Sequence, residues 1–130
     1  MKKLLLVSLM LLTGSAWAEW KYVTEQTYGG QEMVYMVDPD TIKKNGNIRK
    51  AWGLTVFMNR EESGALSNRW QQEFDCKEEQ RRFLAFSLHS DRFAKGTVLH
   101  IQDINQKDAP WKAVAPNTID SEILKYVCSK

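Results

Sequence analysis

From residue 19 onward, short runs of apolar and aromatic residues alternate with polar ones, a pattern typical of β-strands. Residues 20–23 and 33–37 are two such runs, and consecutive glycines between them permit a tight turn. They predict a first hairpin. Pro39 ends the second strand, because proline cannot donate a hydrogen bond to a neighbouring strand, and Asn45 with Gly46 predicts another tight turn soon after.

The longest predicted strand spans residues 48–59. Its apolar residues fall mostly on one parity, and that side of the strand is predicted to face the core. These residues are Ile48, Trp52, Leu54, Val56 and Met58. In the next strand Trp70, Phe74 and Cys76 share one parity and polar residues take the other, so Cys76 is predicted to point inward.

Residues 82–90 and 97–103 are two further predicted strands, joined by a loop that contains Gly96. No helical pattern separates the strands, and the connections are short. Both features favour an antiparallel β-sheet of about six strands in a single domain that spans residues 19–130.

The period of the pattern changes at the C-terminus, where apolar residues recur at helical spacing. The apolar stripe consists of Ile119, Ile123, Leu124, Val127 and Cys128. Asn117 or Thr118 is predicted to cap this helix. A helix this short does not persist alone in water, so we expect it to dock on the sheet in an α+β fold.

The first 18 residues have the pattern of a cleaved export signal. Two lysines precede an apolar run over residues 4–12, and Ala16 and Ala18 are the small residues of a cleavage site. The exported chain is predicted to begin at Glu19, and its location to be periplasmic, secreted or at the cell surface. Since no cysteine stands at the cleavage position, we expect no lipid anchor, and no later run approaches the roughly 20 apolar residues of a membrane-spanning helix.

The predicted cleavage changes the interpretation of charge. The formal net charge of +2 comes from the two lysines of the signal, so the exported part carries no formal net charge. A neutral chain produces no overall field that would attract nucleic acid or an anionic membrane. We therefore expect no nucleic-acid partner.

Cys76 and Cys128 are the only cysteines in the chain. An oxidising compartment predicts a disulfide between them, with two unpaired buried thiols as the alternative. The bond would pin the C-terminal helix to the sheet and stabilise the fold by about 4 kcal/mol. A metal site needs more soft ligands than two cysteines this far apart provide.

Residues with catalytic potential are few. His89 and His100 are the only histidines, and Asp91 follows His89 on the same side of a predicted strand. A histidine and an aspartate can orient a general base, and two histidines on neighbouring strands can bind a metal. Neither arrangement has a third ligand or an adjacent nucleophile, so we favour histidines on a half-solvated sheet face. We expect no cofactor and no catalysis, and we interpret acidic clusters such as the one at Glu73 as solvated.

Local charge and exposed aromatic residues give a predicted binding surface. Lys43, Lys44, Arg49 and Lys50 flank one tight turn, and Arg81 and Arg82 lie near another. Basic turns of this kind can meet an acidic glycan or an acidic protein segment, although a solvated hairpin tip is the simpler interpretation. Tyr28 and Trp111 stand near turns, where they would be exposed anchors of that surface or else part of the core edge.

Several short segments have a characteristic order and spacing. They are residues 35–42, Ala51 with Trp52, residues 73–76 with Arg81 and Arg82 after them, Trp111, residues 115–118 and the helix that holds Cys128. Together they resemble the surface-adhesin protein E family of secreted bacterial proteins over nearly all of the exported chain. The resemblance implies a curved antiparallel sheet whose concave face holds a C-terminal helix through the disulfide of Cys76 and Cys128.

The resemblance also implies a non-enzymatic surface adhesin that captures host extracellular-matrix and serum proteins such as vitronectin and laminin. No adhesive motif carries over residue by residue, and the lipid anchor of the family has no counterpart here. Our leading hypothesis is an exported binding module that holds a protein or peptide, or a second copy of itself at a sheet edge. The alternatives are an envelope protein of another role and a small periplasmic enzyme or metal-handling protein that uses His89 or His100.

Overall fold

The structure is a computed structural model that describes residues 18–130. The predicted export signal lies outside these residues, apart from Ala18. Its elements in chain order are β1 (Lys21–Tyr28), β2 (Gln31–Val37), a 3-10 turn (Pro39–Thr41), β3 (Lys43–Asn45), β4 (Ile48–Phe57), β5 (Ser67–Asp75), β6 (Gln80–His89), β7 (Val98–Asp103), β8 (Lys112–Ala113) and α1 (Ile119–Cys128).

One curled antiparallel sheet contains all of these strands. Six of them follow one another across the sheet in the order β1-β2-β4-β5-β6-β7, while β3 pairs with β4 and β8 pairs with β6. Both termini of the strand order, β1 and β7, are therefore edges. The sheet and its C-terminal helix confirm the predicted α+β fold, whereas the short strand β8 was not predicted.

Thr118 is the N-cap of the C-terminal helix, a position for which the sequence had left Asn117 as an alternative. The Thr118 hydroxyl accepts a hydrogen bond from the Ser121 amide at 3.2 Å, and the Ser121 hydroxyl accepts one from the Thr118 amide at 3.0 Å. These two bonds form a capping box. Asn117 instead takes a left-handed backbone conformation with φ of 62° just before the cap.

The main core lies between α1 and one side of the sheet, which we name the helix face. Trp70 and Phe74 of β5 and Ile123 and Val127 of α1 belong to its buried cluster. Gly53 lies directly opposite Trp70, and a β-carbon at this glycine would overlap the indole ring. Glycine at this position therefore allows the Trp70 ring to lie flat across β4.

The parity prediction for the long strand is only partly correct. Leu54 and Val56 are buried as expected, but Met58 lies beyond the end of β4 and is 41% exposed. The residue of β4 that belongs to the core under the helix is Ala51, which has the opposite parity. Because β4 is a central strand, both of its sides are covered, and alternation alone does not identify the helix face.

The disulfide between Cys76 and Cys128 joins the chain just after β5 to the last residue of α1. Their Cα atoms are 5.8 Å apart, and 52 residues separate them in sequence. This bond confirms the predicted covalent tie between helix and sheet. It lies at the same end of the sheet as the turn between β3 and β4, since the Cys76 amide donates to the Asn47 carbonyl at 2.9 Å.

Candidate functional site

The predicted basic turn forms a β-hairpin from β3 and β4, which we name the basic hairpin and define as residues 43–50. Lys43 lies directly opposite Lys50, and Lys44 lies directly opposite Arg49. Like charges that face each other across two strands oppose pairing. The described part of the chain supplies no carboxylate in an ion pair with any of the four. The hairpin therefore presents positive charge that no ion pair in residues 18–130 neutralises.

Arg49 is the member of the basic hairpin that also has a structural role. Its guanidinium donates hydrogen bonds to the carbonyls of Gly46 at 2.7 Å and of Ile48 at 3.2 Å. These bonds hold the turn in shape. The two exposed lysines, Lys43 and Lys44, are consequently the residues most available to a partner.

Beside the hairpin, the side of the sheet opposite the helix contains a buried ion pair. We name this side the outer face. Glu73 is only 5% exposed, and its Oε1 accepts hydrogen bonds from Arg82 Nε at 3.0 Å and from Arg82 Nη2 at 2.7 Å. Gln106 donates a further bond to the same oxygen at 3.0 Å, and Trp111 stacks on the Arg82 guanidinium at 4.4 Å. The prediction that Glu73 is solvated is therefore wrong.

A β-bulge explains why Glu73 and Arg82 meet. The pairing of β5 with β6 shifts between Gln71 and Gln72, so that Gln71 lies opposite Ala85 but Gln72 lies opposite Phe83. The extra residue in β6 moves Arg82 directly opposite Glu73 on the outer face. Without the shift, Arg82 would lie on the helix face.

The predicted second basic patch at Arg81 and Arg82 is neutralised in the structure. Arg81 points to the helix face, where its guanidinium makes an ion pair with Asp120 at 2.9 Å. Arg82 is engaged by Glu73. Trp111 is half-buried against Arg82, so it packs at the edge of the core more than it projects toward a partner.

Tyr28 lies at the other end of the sheet from the basic hairpin. It is the last residue of β1, at the turn to β2, and it is 74% exposed. Met33, near the start of β2, lies opposite Phe57 at the end of β4, whereas the basic hairpin adjoins the start of β4. Tyr28 and the hairpin therefore do not form one contiguous surface, while Trp111 lies at the hairpin end.

The two histidines lie on opposite sides of the sheet. His89 is 6% exposed on the outer face, and its Nε2 lies 2.7 Å from the Ser87 hydroxyl. His100 is exposed and its ring stacks on Phe86, with centroids 5.7 Å apart. Ser87 and Phe86 are neighbours in one strand and so point to opposite sides. The two rings consequently do not face a common metal. The prediction that His89 is half-solvated is wrong, because its side chain is buried.

Metal ligation by other groups has no support in residues 18–130, where no three histidine, cysteine or acidic side chains are grouped for it. Asp91 is occupied with the loop after β6, since it accepts hydrogen bonds from the amides of Phe93, Lys95 and Gly96. Burial alone would raise the pKa of Asp91, but these bonds lower it. Asp91 therefore organises a turn.

Sequence reasoning did not single out the edge strand β7 as a surface. All six of its residues are exposed, and three of them, Val98, Leu99 and Ile101, are large and apolar. Ile101 is 64% exposed. An apolar edge strand is unusual, because proteins commonly protect such edges with charges or proline. The sequence did contain an indication of this surface, because apolar residues recur in the last predicted strand.

Comparison with known proteins relates this arrangement to a family. The family model for surface-adhesin protein E matches residues 20–129. A solved structure of Haemophilus influenzae protein E aligns with a TM-score of 0.56 at 10% identity, covering 83% of this chain and 83% of that chain. Crystal form II of the same protein aligns with a TM-score of 0.55 at 12% identity, covering 73% of this chain and 80% of that chain.

At such low identity, these structures show a shared fold. Comparison with the sequences of curated proteins gives no match. No helix in the described part of the chain, residues 18–130, is long and apolar enough to cross a membrane. Because the family model matches residues 20–129 of the 130-residue chain, this chain belongs to the surface-adhesin protein E family.

Proposed function

We propose that this protein is an exported, non-catalytic binding module that uses the basic hairpin to hold an acidic segment of a partner protein. The proposal rests on two cross-strand pairs of like charge: Lys43 lies opposite Lys50, and Lys44 lies opposite Arg49. This arrangement opposes strand pairing, and none of the four side chains forms an ion pair in residues 18–130. A charge pattern that weakens the fold is expected where a partner supplies the opposite charge.

The neighbouring ion pair supports this assignment. The carboxylate of Glu73 is already bound by Arg82 and Gln106, so it does not cancel the charge of the hairpin. Lys50 lies directly opposite Glu73 on the adjacent strand. The pair and the disulfide hold this end of the sheet in one shape, and a rigid surface loses little conformational entropy on binding.

Family membership suggests host matrix or serum proteins as partners, with vitronectin and laminin as the first to test. Binding of the processed protein to each would be measured by surface plasmon resonance across a range of salt concentrations. We expect saturable binding that weakens as salt rises, because exposed charges are screened. The absence of saturable binding to any of these proteins would overturn the adhesin assignment.

A matched pair of triple variants tests the surface. Replacing Lys43, Lys44 and Lys50 by glutamine should weaken binding about tenfold or more and reduce its salt dependence. Replacing Lys21, Lys125 and Lys130 by glutamine removes the same charge elsewhere and should leave binding within about twofold. Equal effects of the two triple variants would place the binding surface outside the hairpin.

The apolar edge strand β7 favours a second interaction, pairing with a second copy of this chain. Antiparallel edges are self-complementary, since a two-fold axis places one copy of β7 beside the other. Sedimentation of the processed protein should then show a dimer, and Ile101→Lys should give a monomer. Gln102→Lys adds the same charge to the neighbouring position of β7 and separates charge from lost apolar contact. A monomeric wild-type protein would eliminate this proposal.

Export and the lack of catalysis belong to the same proposal. Fractionation of the native cells, with external protease added to intact cells, distinguishes a periplasmic location from a surface location. The metal content of the purified protein tests the competing role of His89 or His100. If the protein contained stoichiometric metal, and His89→Gln or His100→Gln lost it, a metal-handling function would be favoured instead.

A further inference from the structure

A cavity of about 360 Å³ lies on the outer face, near the opposite end of the sheet from the basic hairpin. Its walls are Ala18, Trp20, Arg69, His89, Phe93, Ala94 and Lys95. Ala18 belongs to the predicted export signal, whereas the other six residues follow the predicted cleavage point and stay in the processed protein. The volume is within the range of sites that bind small ligands. We name it the Arg69 pocket.

Arg69 is the central cation of this pocket and has no carboxylate of its own. Within residues 18–130 its guanidinium makes no ion pair and donates no hydrogen bond, and its one specific contact is stacking on Trp52 at 3.9 Å. Burial lowers the pKa of Arg69, and Asp38 opposes this shift from beyond ion-pair distance. Half-buried arginines normally have a hydrogen-bond partner. Because Arg69 has none in residues 18–130, its five N–H donors are available to a ligand.

His89 is the second polar group in the wall, and it too has an unmet hydrogen-bonding atom. Its Nδ1 is buried without a partner of good geometry, although the carbonyl of Gly96 acts on the ring. Buried polar atoms of this kind are generally met by water or by a ligand. Arg69 and His89 are close enough that the arginine lowers the pKa of the histidine. Both side chains therefore lie in the wall of one cavity.

The other walls decide what kind of anion fits. Trp20 and Phe93 are aromatic, and Ala94 is small and apolar, so the walls offer apolar surface beside the cations. The planar fork of a guanidinium matches the two oxygens of a carboxylate. Aromatic side chains prefer a flat apolar ring beside them. A bare inorganic anion would leave these apolar walls unused.

We propose that the Arg69 pocket binds a carboxylate that is attached to an aromatic body, with Arg69 holding the carboxylate and Trp20 and Phe93 enclosing the ring. Such a group occurs in free aromatic acids and at the C-terminus of peptides that end in an aromatic residue. The site is at the other end of the sheet from the basic hairpin. It is independent of the function proposed for that hairpin, so either can fail alone.

The test compares two probes that differ only in charge. N-acetyl-phenylalanine carries the carboxylate, and N-acetyl-phenylalanine amide is its neutral counterpart. Each is titrated into the processed protein while the indole resonances of Trp20 and Trp52 are followed by NMR. We expect saturable shifts with the acid and binding at least about tenfold weaker with the amide, since a charge-assisted hydrogen bond is lost. Equal binding of the two probes, or no saturable shift with the acid, would overturn the proposal.

Two variants assign the binding to Arg69. Arg69→Met keeps the long stem over Trp52 and removes the guanidinium, and it should weaken binding of the acid about tenfold while leaving the amide unchanged. Lys107→Met removes one charge from an exposed loop position and should change neither. Unchanged binding in Arg69→Met would refute the assignment. The comparison of acid and amide on the unmodified protein decides the question even if a variant fails to fold.

A third probe distinguishes the two sources of the ligand. A short glycine-rich peptide with a C-terminal phenylalanine presents the same carboxylate on a peptide chain. If it binds as well as N-acetyl-phenylalanine, the pocket accepts peptide C-termini. If only the free acid binds, the pocket takes small aromatic acids.

Discussion

Arg69 and Arg82 lie on adjacent strands of the outer face, and each stacks on a tryptophan, yet only one of them has a counterion. Arg82 is bound by the carboxylate of Glu73, while Arg69 has no ion pair in residues 18–130. Two arginines of similar appearance in the sequence thus have different uses. Arg82 holds the structure together, and Arg69 is open to a ligand.

The difference arises from what covers each arginine. The loop between β7 and β8 crosses the outer face and brings Gln106 and Trp111 to the pair of Glu73 and Arg82. At the other end, the segment before β1 and the loop after β6 border a cavity over Arg69. One end of the sheet is filled and tied by the disulfide, and the other contains space. Stability and binding are separated along the same sheet.

The largest effect should come from breaking the disulfide at the filled end. Cys128→Ala, or reduction, should lower the free energy of unfolding by about 4 kcal/mol, because the unfolded chain regains the entropy of an open loop. Hydrogen exchange should show lost protection in α1 before the sheet melts, with little change around Arg69. Unchanged helix protection on reduction would contradict this prediction.

The next effect concerns the buried ion pair. Glu73→Gln should lower the free energy of unfolding by about 3 kcal/mol, because it leaves the Arg82 guanidinium without its counterion in a buried site. Urea denaturation measures this loss. Glu62→Gln removes an exposed carboxylate and should change stability by less than about 0.5 kcal/mol. If the two variants were equally stable, the pair would not be what distinguishes Arg82 from Arg69.

A direct comparison of the arginines should give a smaller effect at Arg69. Arg69→Met should alter the free energy of unfolding by no more than about 1 kcal/mol, because it loses stacking on Trp52 but keeps the apolar stem. Arg82→Met should lose about 3 kcal/mol, since Glu73 is then buried and unpaired. Both values come from the same denaturation experiment. Similar losses in the two variants would show that Arg69 is structural as well.

The smallest effect is a dependence on pH near the Arg69 pocket. Burial is the largest influence on the pKa of His89 and lowers it. The Asp91 carboxylate and the Gly96 carbonyl oppose this shift, whereas the Arg69 guanidinium adds to it. As pH falls below the ordinary histidine value of about 6.5, the unfolded chain takes up the proton first, so the folded state loses stability.

His89→Gln carries no titrating ring and should make stability less dependent on pH below about 6.5 than in the wild type. Thermal unfolding over this pH range measures the change, with His100→Gln as the matched control at an exposed position. A pH dependence that disappears in His100→Gln and persists in His89→Gln would reverse the assignment.

Much of the fold follows from the sequence because the periodicities are strong. Alternation gave the hairpin of β1 and β2 and the inward side of Trp70 and Phe74, and helical spacing gave α1. The long strand β4 was less predictable, since a central strand is covered on both sides and Ala51 carries little hydrophobic signal. The exposed edge β7 was assigned as a strand, but its lack of a second neighbour beyond β6 depends on strand order.

The candidate sites were harder to predict than the fold. The facing cations of the basic hairpin follow from a tight turn at Gly46, so local sequence was enough. Tyr28 and Trp111 were grouped with them by residue type alone, and the strand directions place Tyr28 at the opposite end. Arg69 was not singled out, because nothing near it in sequence reveals that no carboxylate in residues 18–130 reaches it within ion-pair distance.

The sequence by itself determined the main strands of the sheet and the C-terminal helix, that Cys76 points inward, and that charge gathers at one turn. These properties depend on neighbours in the chain. Only the tertiary structure decided which charges are neutralised. A one-residue bulge in β6 places Arg82 opposite Glu73, and distant loops cover one arginine and leave a cavity at the other. Electrostatic pairing acts over a few ångströms in space, and the groups that come that close here are far apart along the chain.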